Sequence, residues 1–302
     1  MASVASARYG KENVRVHKVE RDPTTGVQTV TEMTVCVLLE GEIETSYTQG
    51  DNSVVVATDS IKNTIYIKAK EHPVTPPELF ASTVGTHFIQ TYPHITTANV
   101  KIVTHRWARM TIDGKPHPHS FYRDGNETRK VETVVTRGEG INIRSGIAGL
   151  LVLKSTGSQF HGFVRDEYTT LPETWDRILS TDVDCTWSWE AFPTLDAVKE
   201  NAPKFDKAFE DARNITMKTF AEESSPSVQN VMFKMGKSIL EAAPLVKVVD
   251  YSLPNKHYFE IDLSWHRGLK NTGKDAEVYA PQSSPNGLIQ VSVTRPEITS
   301  KL

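Results

Sequence analysis

Cysteine is nearly absent from this chain: Cys36 and Cys185 are the only two in 302 residues. They lie far apart, without the spacing of a zinc site. A disulfide framework and a thiolate metal centre are therefore excluded, and a reducing compartment is expected. No apolar run approaches the roughly 18 residues of a membrane span, and Met1–Gly10 lacks the apolar stretch of a secretory leader, so a soluble chain with no membrane partner is expected. Charge of one sign is lacking too. The 34 Lys and Arg against 37 Asp and Glu leave a net −3 spread along the chain, which excludes a nucleic-acid-binding field. A Walker loop, G-x-G-x-x-G, H-E-x-x-H and G-x-S-x-G are all missing, and with them the usual signs of nucleotide, dinucleotide, zinc-protease or serine-hydrolase chemistry. A small or neutral ligand fits what remains.

What the sequence does contain is period-two alternation, interrupted by helical patterns. Strands are expected at Asn13–Val19, Thr29–Glu44 (where Met33, Val35, Val37 and Leu39 alternate), Val54–Ala57 and Thr64–Ala69. A helix is expected with Thr75 as its cap and Pro76 at its first position, carrying Phe80, Val84, Phe88 and Tyr92 at four-residue spacing. Strands near Ala98–Thr104 and Ala108–Ile112 close this half. After the Gly-rich stretch Gly138–Gly149 the order repeats. Strands fall at Leu150–Lys154 and Phe160–Val164, helices at Lys204–Phe220 and Val228–Ala242, and strands at Leu245–Ser252 and Tyr258–Leu263. Thr75-Pro76 and Ser225-Pro226 open matching amphipathic helices, each followed by a Val-, Ile- and Lys-rich strand, so the chain reads as a duplication with domains 1–139 and 140–302. Half-buried alternating strands with helices on one face imply an α+β protein of antiparallel sheets. The sheet faces left uncovered call for oligomerisation.

The densest histidine cluster is His117-Pro118-His119. Alternate histidines can share a metal, but the proline between them and the lack of a nearby carboxylate favour a locally hydrogen-bonded pair, and no metal site is expected.

The most specific run is Leu151-Val152-Leu153-Lys154-Ser155-Thr156-Gly157-Ser158-Gln159-Phe160, continuing through Phe163, Tyr168 and Leu171 to Arg177. With Thr58-Asp59-Ser60, Lys115–Phe121 and Asn255-Lys256-His257-Tyr258-Phe259-Glu260, it resembles the uricase (urate oxidase) family, the fungal members most. The resemblance runs from Arg8 to the terminal tripeptide. It implies tandem tunnelling-fold domains joined into a barrel-like homotetramer, with active sites shared between subunits. The implied reaction is oxidation of urate by molecular oxygen to 5-hydroxyisourate and hydrogen peroxide, with no cofactor.

The resemblance also implies roles, which the side chains can sustain physically. Phe160 would stack on the flat urate anion, and Arg177 would clamp it in plane with a fork that lysine cannot reproduce. Gln229 would read the opposite purine edge through its amide. Val228 and Gln229 occupy the first turn of a helix, whose free N–H groups favour an anion. Lys11, Thr58 and His257 would relay protons. Asp59 would offer its backbone amide, and Asn255 would hold oxygen or water above the ring. The expected division sets Lys11, Thr58 and His257 on one subunit and Phe160, Arg177 and Gln229 on its neighbour.

Two other functions remain open on the residues: a tunnelling-fold enzyme acting on pterins or guanine nucleotides, and a non-catalytic purine-binding protein. Gln229, where a glutamate anchor would suit a guanidine-like edge, disfavours the first, and the intact relay disfavours the second. Ser300-Lys301-Leu302 is the tripeptide read by the peroxisomal import receptor, so a peroxisomal location is expected.

Overall fold

A computed structural model describes residues 3–224 and 227–296. In chain order these form β1 (Tyr9–Arg21), β2 (Gln28–Gly41), α1 (Glu44–Thr48), α2 (Thr58–Glu71), α3 (Pro77–Thr91), β3 (Ile95–His105), β4 (Ala108–Ile112), β5 (Lys115–Tyr122) and β6 (Thr128–Thr136). The second half comprises β7 (Gly140–Phe160), β8 (Thr174–Trp189), α4 (Leu195–Glu200), α5 (Ala202–Glu222), α6 (Val228–Ala242), β9 (Val246–Glu260) and β10 (Tyr279–Thr294). Each half is a strand pair, one short and two long helices and a second strand pair, with the small β4–β5 hairpin inserted in the first. The eight long strands form one sheet in the order β1-β2-β3-β6-β7-β8-β9-β10, antiparallel throughout. The halves meet where β6 turns into β7.

Alternation decides which face is covered. Met33, Val35, Val37 and Leu39 of β2, and Val183, Cys185, Trp187 and Trp189 of β8, are buried, while the residues between them are more exposed. Onto the buried face pack Phe80, Val84 and Phe88 of α3 and Val231, Met235 and Ile239 of α6. The duplication extends to single contacts. A Cβ on Gly85 of α3 would lie 2.6 Å from Val135 of β6, and one on Gly236 of α6 would lie 2.7 Å from Val293 of β10. In both halves a helix glycine lets the helix settle onto a valine of the last strand. Between the halves, the fully buried Glu78 of α3 accepts from Arg129 at 2.6 Å and from Ser145 at 2.7 Å, and Arg129 also donates to Asp206 at 2.6 Å.

The expected α+β duplication is therefore what the chain forms, and α6 has the expected bounds. Several local expectations are corrected. Val54–Ala57 and Thr64–Ala69 are not strands: α2 covers the second, burying Ile61, Ile65 and Ala69 at four-residue spacing while Ile67 stays 54 % exposed. Helix α3 is capped by Pro76, not Thr75. The Gly-rich stretch forms, from Gly140 on, the first half of β7, where a Cβ on Gly146 would lie 2.7 Å from the Cys185 carbonyl oxygen. Phe160 ends that strand rather than starting one, and β9 is one strand rather than two. The Ser225-Pro226 start of α6 lies outside the described residues; its N-cap is Ser227.

Candidate active site

Two breaks in the ladder of the second half build a cavity. Between β7 and β8, Lys154 pairs with Leu179 but Ser158 with Arg177, so Ser155, Thr156 and Gly157 face the single residue Ile178. Between β9 and β10, Asn255 pairs with Gly287 but His257 with Gln282. Bulges of this kind bend a strand and re-aim its side chains. The result is a cavity of about 500 Å³ whose walls include Phe160, Arg177, Asn255 and His257.

Within it the Arg177 guanidinium lies over the Phe160 ring, Cζ 5.1 Å from the centroid. Its Nε is buried with no hydrogen-bond partner, and burial draws its pKa down from the usual arginine range. The group stays charged, since arginine titrates far above neutrality. A desolvated cation with an unused donor is poised for a planar anion. Neither nearby carboxylate forms an ion pair with it; each accepts from neutral donors instead. Asp176 accepts from Thr156 Oγ1 at 2.7 Å and Gly157 N–H at 2.8 Å, and Glu260 accepts from Gly273 N–H at 2.8 Å. Asn255 also borders a small apolar pocket with Val228 and Thr181, which ties the first turn of α6 to the cavity. Gln229 follows, exposed, its Oε1 accepting from Ser227 Oγ at 3.0 Å.

Lys11, Thr58 and Asp59 form a second group, in the first half. Thr58 and Asp59 open α2, which no side chain caps. Tyr9 Oη accepts from Val56 N–H at 2.6 Å and so pins the approach to that turn. The Asp59 carboxylate is turned to its own helix, with Lys62 at 2.6 Å and Asn63 at 3.0 Å. Lys62 chiefly, then Asn63 and the charge of Lys11, hold it below the usual carboxylate range.

The structure thus gathers Phe160, Arg177, Asn255 and His257, with Val228 beside them, and leaves Lys11, Thr58 and Asp59 apart. The expected division is corrected at His257: it lines the cavity of the clamp, facing Phe259 at 6.1 Å, because β9 lies next to β8. Sequence reasoning missed Asp176 and Thr181. Both act through strand register, and period-two alternation carries no signal of which residues face one another. The rings of His117 and His119 sit edge to face at 4.6 Å, and His119 N–H reaches His117 Nδ1 at 3.4 Å. Among the described residues no group of three or more ligand-type side chains is placed to hold a metal ion.

The family model described as Uricase matches residues 7–134 and 143–290. The chain is 70 % identical over 295 residues to a uricase of Emericella nidulans, covering 98 % of each. It is 67 % identical over 302 residues to a uricase of Aspergillus flavus, covering 100 % of each. In structure it resembles the crystal structure of uricase from Arthrobacter globiformis, with a TM-score of 0.86 at 35 % identity, covering 98 % of this chain and 96 % of that one. The two matched blocks coincide with the two halves of the fold, and the chain belongs to the uricase family.

Proposed function

We propose that this urate oxidase completes its active site only between subunits. Urate oxidation is the function its family carries: urate, oxygen and water give 5-hydroxyisourate and hydrogen peroxide. Urate supplies two electrons and oxygen accepts them, so the balance requires no redox cofactor. The task left to the protein is to hold the anion, keep bulk water away and move protons.

The observation that carries the reading is the buried, unpartnered Nε of Arg177 beside Phe160. A urate anion stacked on the face of the ring that the guanidinium occupies would satisfy that donor. Gln229 and the first-turn amide of Val228 would meet the other edge, and Asn255 and His257 would stand at the reacting carbon. Lys11, Thr58 and Asp59 belong to the same chemistry but not to the same chain. In the sheet order β1 stands four strands from β7 and six from β9, roughly 19–29 Å at ~4.8 Å per strand. That is far beyond a lysine's reach. Both edge strands, β1 and β10, are open for pairing with another copy, which supports a barrel-like homotetramer with Lys11, Thr58 and Asp59 delivered by the neighbour. Lys11 and Thr58 then pass the proton towards His257 across the interface.

The two halves, 1–139 and 140–302, serve as paired tunnelling-fold domains. Ser300-Lys301-Leu302 lies outside the described residues; as a sequence it supports delivery to the peroxisome by the import receptor, where peroxide is handled. A glutamate at the Gln229 position would have favoured a pterin or guanine. Incubation of the purified protein with urate tests the function: loss of near-ultraviolet absorbance with one peroxide formed per urate is expected. Binding without turnover would leave only a purine-binding protein.

A further inference from the structure

We propose that Asp176 is the positioning residue that locks the substrate clamp; the inference rests on reading Arg177 and Phe160 as that clamp. The regular ladder ends at Lys154 opposite Leu179; beyond it Ser158 stands opposite Arg177 and, after a second register shift, Phe160 opposite Thr174. Had the first register continued, Thr156 would face Arg177, and Phe160 would fall beyond Thr174. Two irregularities therefore set where the ring stands relative to the guanidinium: Ser155–Gly157 on β7, opposite Ile178, and Trp175-Asp176 on β8, opposite Gln159. A bulge leaves backbone groups without ladder partners, so something else must hold it.

Asp176 does so with both oxygens. Oδ2 accepts from Thr156 Oγ1 at 2.7 Å and Oδ1 from Gly157 N–H at 2.8 Å. Gly157 sits at φ +76° with open space where a Cβ would be, so it supplies the left-handed turn and Asp176 holds it. The Asp176 carbonyl also accepts from Thr174 Oγ1 at 2.7 Å, fixing the residue opposite Phe160. Asp176 immediately precedes Arg177 and lines the same cavity.

The test is a graded series read as KM against kcat in the assembled enzyme. Asp176→Ala removes both bonds and is expected to raise the urate KM at least tenfold, with kcat reduced less than threefold. Thr156→Val removes one bond and should fall between Asp176→Ala and wild type. Asp176→Asn keeps one acceptor and should rescue part of the Ala loss. The affinity of xanthine, measured by competition, should follow the same order. A lowered Tm with unchanged KM and xanthine affinity in Asp176→Ala would overturn the proposal and leave Asp176 a merely structural residue. Arg177→Lys is run alongside. Weaker xanthine binding there, with none in Asp176→Ala, refutes this inference alone; no weakening in Arg177→Lys refutes the clamp beneath it.

Discussion

Replacing Arg177 by lysine separates binding from folding more sharply than any other single change. The guanidinium is held in a site that burial makes unfavourable for its charge, and its Nε has no protein partner. In the free enzyme the substitution therefore removes little that stabilises the fold beyond the contact of the guanidinium with the Phe160 ring. Lysine brings a flexible stem that carries its charge towards the cavity mouth. The midpoint of thermal unfolding should stay within about 2 °C of wild type, a shift corresponding to about 1.3 kcal/mol or less in a chain of this size. Binding should respond differently. The planar fork offers urate parallel charge-assisted bonds, and lysine can replace only one. Losing one such bond costs about 2 kcal/mol, or roughly a thirtyfold rise in the dissociation constant. Competition by xanthine and the KM for urate, measured with thermal unfolding on the same preparation, give the comparison. Unchanged affinity with a lowered midpoint would show that Arg177 holds the fold and not the substrate.

Other outcomes follow from the same structure. Lys11→Met should leave xanthine affinity within about threefold of wild type while lowering saturating turnover, because it acts on protons and not on the ring; lost binding with normal turnover would reverse the roles. Glu78→Ala removes one of the two carboxylates that Arg129 meets, Asp206 being the other, and leaves the buried Ser145 hydroxyl without its acceptor; it should cost about 1–3 kcal/mol in denaturant unfolding, and no measurable loss would contradict the reading. Gly236→Ala forces a Cβ to within 2.7 Å of Val293 and should destabilise by about 1–3 kcal/mol, as should Gly85→Ala in the first half. Turnover should survive dialysis against a chelator, and stoichiometric metal whose removal abolishes it would promote His117 and His119 to ligands.

The duplication was legible because alternation along β2 and the four-residue spacing of Phe80, Val84 and Phe88 are local signals. Helix α2 was misread for a local reason as well. Thr64–Ala69 alternates like a strand, and only the burial of Ile61, Ile65 and Ala69 by β1 and its neighbours settles it as a helix. Strands β6, β8 and β10 were not read, although β8 alternates as plainly as β2, with Val183, Cys185, Trp187 and Trp189 on its buried face. Candidate residues such as Phe160, Arg177, Asn255 and His257 could be named from the resemblance, and the structure places these four around one cavity. Their grouping could not be read from the sequence. That His257 belongs with the clamp follows from strand order, and that Asp176 holds the bulge follows from register; both are tertiary properties.

The claim that the site is shared between subunits is tested most directly by mixing two inactive variants. Lys11→Met damages the group carried on β1 and α2, and Arg177→Ala damages the cavity on β7–β9, so each homo-oligomer should be nearly inactive. Co-expressed and randomly assembled, about a quarter of sites would draw their Lys11 from an Arg177→Ala chain and their Arg177 from a Lys11→Met chain. Activity should then return towards a quarter of wild type. If each site came from a single chain, every site would keep one lesion, and no recovery in verified mixed oligomers would contradict the account.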